Sequence, residues 1–231
     1  MTRIKAPLVD ELQRKAFEYF RKETNSANGL IADKTQEGAP ASIAATGFAL
    51  AAYTVGVERG WMTRTEAVRR TLTTLRFFEA SPQNTSAHAT GYRGFYYHFL
   101  DMVTGRRAGR CELSTVDTTF LLAGMLTAAE WFDGNSSDER AIRALADALF
   151  RRADWHWAQN GGAAITHGWR PEKGFLRARW RGYDEALLLY VLGLGSPTYP
   201  LPVDSYAAWS ATYRWTRLCG HTFLYGSSFF L

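Results

Sequence analysis

Three segments of the chain begin alike. SIAATGFAL (42–50), STVDTTFLL (114–122) and GYDEALLLY (182–190) each run from a small turn residue into an apolar stretch of helical period. Aligned, they bring Ala45, Asp117 and Glu185 to one equivalent position, 72 and 68 residues apart. A helical unit that recurs at such a spacing cannot bury its apolar face alone, so it must stack on its neighbours. This limits the fold more tightly than composition does. It also predicts that Asp117 and Glu185 project from adjacent helices at one level.

The helical periods extend the pattern. Helices are predicted over about 8–22, 42–59, 63–80, 114–132, 137–157, 183–194 and 203–217. Ser42, Thr63 and Ser114 stand where an N-cap hydroxyl is needed, and Glu66 and Asp117 lie three residues on, where an acid can reach back. The connections alternate. Short links (GWM, DGNSS, GSPTYPLP) join helices within pairs, while 25–41, 81–113 and 158–182 are long and contain β-like stretches such as GYRGFYYHFLD and GFLRARW. Antiparallel helix pairs with their long loops gathered on one face are the expected result. The predicted class is all-α, about seven helices of an α/α toroid, with small β-hairpins in the long loops. A closed barrel of six pairs needs about twice this chain. The last residues, GHTFLYGSSFFL, are apolar and carry no terminating signal. The expectation is one domain over 1–231, cut short at its C-terminus.

The carboxylates at those helix starts raise a chemical question. A glycosidase needs two carboxyl groups, one to protonate the leaving oxygen and one to act as nucleophile or to activate water. The acid must keep its proton near neutral pH, which takes burial or a neighbouring negative charge. A helix N-terminus works against this, because its dipole favours the anion. Glu185 therefore needs an apolar surrounding, and Trp180, Tyr183 and Phe175 are at hand. Asp184 and Glu185 are consecutive and do not share a helix face, so one can cap while the other points inward. Cap and catalyst both remain open for Glu185 and Asp117 on these grounds. Asp33, His98, Asp101 and Arg170 fall in the long loops, where charged groups and rings suit sugar hydroxyls. Phe95, Tyr97 and Phe99 alternate, so they also fit a buried strand; His167 and Trp169 are equally ambiguous.

Other classes fit less well. The aromatic share is 14%, suited to sugar platforms and large helical cores alike. The formal charge is +5, but basic residues are scattered among acids with no polybasic arm, which argues against nucleic-acid binding. Cys111 and Cys219 lie outside any metal-ligand spacing, and no metal or organic cofactor is indicated. The N-terminal MTRIKAPLVDELQRKAFEYF lacks the apolar core of a signal peptide, and the longest apolar run, 186–194, is too short for a membrane span. A cytoplasmic location is the default expectation. A protein-interaction solenoid is disfavoured by the long aromatic loops.

Taken in order, NGLIADKT, GFYYHFLD with TGRR, ELSTVDTTFLLAGML and GWRPEKGFL through RWRGYDEALLLYVLGLGSPTYPL resemble the glucoamylase-like domain of bacterial endo-β-1,2-glucanases and of cyclic β-1,2-glucan synthases. The likeness covers about 28–231. It implies an (α/α)6 barrel acting on β-glucan, with Glu185 at the position of an essential glutamate and Asp117 lining the cleft. Asp184 stands where the family often has Asn, and Ser114 where some members carry another acid. The resemblance also implies that the domain continues past the equivalent of Leu231, to further helices and another carboxylate. A glycoside hydrolase of the β-1,2-glucanase type, using Glu185 and Asp117, is expected. Asp33, Tyr97, His98, Asp101, Arg170, Trp180 and Tyr183 are its candidate sugar contacts. A transglycosylase sharing the cleft and a non-catalytic carbohydrate-binding fragment are the alternatives. An oligo- or polysaccharide is the expected partner in each case.

Overall fold

The structure, a computed structural model, describes residues 6–226. The first five residues of the N-terminal stretch and the last five of the apolar C-terminal run lie outside the described residues. In chain order the elements are α1 (Ala6–Lys22), β1 (Ala41–Ser42), α2 (Ile43–Glu58), α3 (Arg64–Ala80), β2 (Gly91–Tyr92), β3 (Phe95–Tyr97), β4 (Phe99–Leu100) and β5 (Leu113–Ser114). Then follow α4 (Thr115–Trp131), α5 (Ser137–Arg152), α6 (Trp155–Gln159), β6 (Gly168–Arg170), β7 (Gly174–Phe175), α7 (Leu187–Leu194), α8 (Asp204–Ser210), β8 (Arg214–Leu218) and β9 (His221–Tyr225).

The helices form two rows. α2, α4 and α7 pack side by side, while α1 and α3 lie against α2, and α5 against α3 and α4. α2 and α4 are apolar around most of their circumference, as buried helices must be. They approach backbone to backbone through two glycines. A Cβ on Gly124 would meet the Gly47 carbonyl oxygen at 2.0 Å, and one on Gly47 would meet the Phe120 carbonyl oxygen at 2.3 Å. Between the rows lies a core that includes Leu50, Tyr53, Leu75, Phe78, Met125 and Trp155. No helix among the described residues is long and apolar enough to cross a membrane.

The predicted caps form. The hydroxyls of Ser42, Thr63 and Ser114 accept from the backbone N–H three residues on. Three predicted helices differ. The fifth breaks after Arg152, because Asp154 starts a new turn by accepting from Trp157 N–H at 2.9 Å. The seventh stops at Ser210, and a β8–β9 hairpin follows. Its two-residue turn, Cys219–Gly220, has φ of 50° and 81°, the mirror-image geometry that suits a tight hairpin. The sixth begins at Leu187, four residues later than its sequence periodicity implies.

The all-α expectation needs a larger correction. The long segments meet as predicted, but they form a five-stranded antiparallel sheet in the order β2-β3-β5-β6-β7, and β1 pairs with β4 beside it. Its strands are two or three residues long, so their alternation is too brief to read in sequence. Both sheets run directly into the helix row: β1 of the small sheet ends at Ser42 and β5 of the larger one at Ser114, the cap residues of α2 and α4.

Candidate active site

The site starts from the first turn of α4. Ser114 Oγ accepts from Asp117 N–H at 3.2 Å and donates to Asp117 Oδ2 at 2.5 Å, so cap and acid hold each other. The other carboxylate oxygen, Oδ1, lies 3.6 Å from Nε2 of His98, an ion-pair distance rather than a hydrogen bond.

His98 is set by the sheet. β3 and β5 pair Tyr97 with Leu113, and β5 and β6 pair Leu113 with Trp169. One step further along this register, His98, Glu112 and Arg170 stand in a row across three strands. His98 Nδ1 lies 3.0 Å from Glu112 Oε1, and Arg170 Nη2 donates to Glu112 Oε2 at 3.4 Å. The His98 ring stacks on Phe99 at 4.0 Å. The electrostatics follow from these contacts. The hydrogen bond to His98 pulls the Glu112 carboxyl down to about 2, against the opposing effect of burial. Burial is the largest single influence on His98 and lowers it, but the Glu112 hydrogen bond and the charges of Asp117, Glu112 and Asp33 together raise it above its ordinary value. Asp117 is pushed up by burial, while the His98 cation and the Ser114 hydroxyl pull the other way.

Glu185 sits in the turn before α7. Asp184 Oδ1 accepts from Ala186 N–H at 3.0 Å and from Trp209 Nε1 at 2.9 Å, which ties this turn to α8. Gly182, at φ 86°, lets the chain reverse there, and its N–H donates to the Trp209 carbonyl. Glu185 is thereby delivered to a cleft of about 860 Å³ whose lining includes His167, Trp180, Tyr183, Arg214 and Tyr225. Its carboxyl has no hydrogen-bond partner among the described residues. Burial raises its pKa, and the charges of Asp117 and Asp184 raise it further, while His98 opposes. Trp180 forms a wall of this cleft: it stacks on His167 at 3.8 Å and donates to Thr115 Oγ1 at 3.0 Å.

The remaining sequence candidates divide. Trp180 and Tyr183 line the cleft. Asp33 is exposed in the loop after α1, where its charge reaches His98. Arg170 is engaged by Glu112. Tyr97 does not reach the cleft, because it is 0% exposed and lies beneath the Arg107 guanidinium at 4.7 Å. Asp101 accepts from Val103 N–H, Thr104 N–H and Thr104 Oγ1, so it closes its own turn. The expected equivalence of Asp117 and Glu185 also needs correction. Asp117 is the third residue of a capped helix, and Glu185 precedes a helix that has no side-chain cap. Glu112 was not singled out from the sequence, although it opens the ELSTVDTT segment two residues before the Ser114 cap. Among the described residues, no group of three or more His, Cys, Asp or Glu side chains could hold a metal ion.

Known proteins bear on this geometry. Residues 177–231, which include Glu185 and much of the cleft lining, match the family described as "Putative glucoamylase". An exo β-1,2-glucooligosaccharide sophorohydrolase of Parabacteroides distasonis is 28% identical over 215 residues, 88% of this chain and 29% of that protein. An endo-β-1,2-glucanase from Chitinophaga pinensis, solved with sophorotriose and glucose, shares the fold at a TM-score of 0.85 and 22% identity, over 96% of this chain and 55% of its own. The β-1,2-glucanase of Parabacteroides distasonis matches at a TM-score of 0.80 and 25% identity, over 90% of this chain and 30% of its own. The chain thus spans between about a third and about a half of the length of these relatives. In sequence and in fold it is related to the glucoamylase-like proteins, the family that its motifs resemble.

Proposed function

We propose that this chain supplies one wall of a β-glucan cleft and works as a glycoside hydrolase on β-1,2-linked glucan, with Glu185 as general acid. The observation that carries the reading is the contrast between the two carboxyls. Glu185 faces the cleft with no hydrogen-bond partner among the described residues, and burial and the Asp117 charge favour its protonated form. Burial raises Asp117 as well, but Ser114 donates to it and His98 faces it, and both oppose that rise, which suits a group that positions the sugar or assists the acid. Trp180 and Tyr183 offer ring faces for the apolar sides of glucose units, and Asp33 and Arg170 lie at the His98 margin of the site. The relatives named for β-1,2-glucan hydrolysis direct the linkage.

The same reading makes the helices one domain and part of an α/α barrel. The row of α2, α4 and α7 leaves an apolar flank open: Phe48 is 49% exposed, Val55 47% and Val191 54%. Flanks of this kind are normally covered in a soluble protein, and further helix pairs would cover them here.

The test is sugar release from linear β-1,2-glucan by the full gene product and by its Glu185→Gln variant. Loss of release in the variant supports the assignment; equal release in both overturns it. Cyclic rather than linear products would mean transfer to a sugar hydroxyl instead of to water.

A further inference from the structure

Glu112 opens the ELSTVDTT segment and does not line the cleft, yet its hydrogen bond to His98, 3.0 Å from Oε1, holds its carboxyl down at about 2. Its position follows from register. Because β3, β5 and β6 are adjacent and antiparallel, His98, Glu112 and Arg170 are cross-strand neighbours, and their side chains meet on one face. The main chain fixes the pair as well, since His98 N–H donates to the Glu112 carbonyl at 2.9 Å.

This arrangement dictates where the His98 protons sit. An ionised carboxylate only accepts, so the ring nitrogen 3.0 Å from Glu112 Oε1 must carry a hydrogen, and that nitrogen is Nδ1. Nε2 then faces Asp117 Oδ1 at 3.6 Å. Were Nε2 bare and Asp117 ionised, two lone pairs would oppose each other across a half-buried gap. A proton on Nε2 removes the conflict and makes the ring a cation between two anions. The charges around the ring agree: Glu112 from before β5, Asp117 from α4, Asp33 from the loop after α1 and Glu185 from the turn before α7 are all acidic, and Arg170 stands behind Glu112. The Phe99 ring covers a face of the imidazole and limits its rotation.

We propose that Glu112 is a positioning residue: anchored by Arg170, it orients His98 so that Nε2–H points at Asp117, which stays the charged member of the cleft pair while the proton rests on Glu185. The division of labour between Asp117 and Glu185 rests on the function proposed above, whereas the setting of His98 by Glu112 does not.

The test separates the two. Ring 15N resonances of His98 are followed by NMR across pH in the wild-type protein and in Glu112→Gln, with His88, exposed and remote, as internal control. The wild type needs no mutation to be decisive: above its titration, the neutral His98 ring should carry its hydrogen on Nδ1. A neutral ring protonated at Nε2 overturns the proposal. In Glu112→Gln the His98 proton affinity should fall at least about tenfold while His88 is unmoved; an unchanged His98 midpoint also overturns it. Asp117→Asn, which spares the Glu112 contact, should lower the His98 affinity as well, and no response there breaks the Nε2 link. Hydrolysis of β-1,2-glucan across pH by the full gene product is the second readout. If His98 responds but no preparation releases sugar, the positioning role stands and the glucan reading fails. If both hold, Glu112→Gln should move the pH profile upward, because a neutral His98 no longer lowers either acid.

Discussion

The starts of α4 and α7 are neighbours in the row of α2, α4 and α7, and each brings a carboxyl group to the same site by opposite means. At α4 the acid is inside the helix and fully engaged: Ser114 caps the turn, donates to Asp117, and the His98 ring faces the other oxygen. At α7 the acid precedes the helix, the cap residue Ala186 makes no side-chain bond, and Glu185 has no donor among the described residues. Its neighbour Asp184 makes the structural bonds instead. Donors favour the charged form of a carboxyl, and burial without donors favours the neutral one. Burial raises both carboxyls, but at Asp117 the Ser114 hydroxyl and the His98 charge oppose it, whereas at Glu185 only the His98 charge does.

The sharpest way to break this comparison is to exchange the leaving group. Glu185→Gln should lower kcat on β-1,2-glucan by about 10²–10⁴, the usual contribution of general acid catalysis. On an aryl glucoside whose leaving group needs no proton, most of that loss should disappear. Asp117→Asn should be impaired on both substrates alike. Steady-state rates on the two substrates decide, and equal deficits for Glu185→Gln would remove its role as acid.

The next effect is on stability. Asp184→Ala removes the acceptor for Trp209 Nε1–H, and Trp209 is wholly buried. An orphaned buried donor costs about 1–3 kcal/mol, so thermal denaturation should show a clear loss. Ser114→Ala makes the α4 start resemble the α7 start. It should cost about 1 kcal/mol for the lost cap, and it should raise the Asp117 pKa, which NMR of the carboxyl carbon reads directly. An unchanged Asp117 would mean that Ser114 is a cap and nothing more.

How much of this was legible in the sequence depends on how local each signal is. The α2, α3 and α4 starts were readable because a cap hydroxyl and the N–H it satisfies lie three residues apart. The α7 start misled because an acidic pair before an apolar run looks like a helix N-terminus, yet Gly182 and the reach of Asp184 to Trp209 hold these residues in a turn. Trp209 is twenty-five residues away, so nothing local announces it. Glu112 was hidden for a stronger reason. Its meaning comes from the alignment of residues near 98, 112 and 170 across three strands too short to show alternation. Asp117, Glu185, His98 and Arg170 could be suspected in advance, whereas Glu112, which joins His98 to Arg170, could be found only once the sheet was in hand.

The smallest expected effect is also the most specific to the comparison. A general acid works in its protonated form, so the rate should fall as pH rises through the Glu185 pKa. Burial is the main reason that pKa lies above the ordinary glutamate value, and the Asp117 charge is the second. Asp117→Asn removes that charge and leaves the burial. The residual activity of the variant should therefore lose its high-pH limb earlier, at a pH below the wild-type midpoint but still above that of an exposed glutamate. The His98 cation works in the opposite sense, so His98→Gln should move the same limb upward. Opposite displacements in these two variants would show that both groups act on Glu185 through charge. A limb that stays in place in both would mean that burial alone sets the proton, and the two helix starts would then be neighbours without being partners.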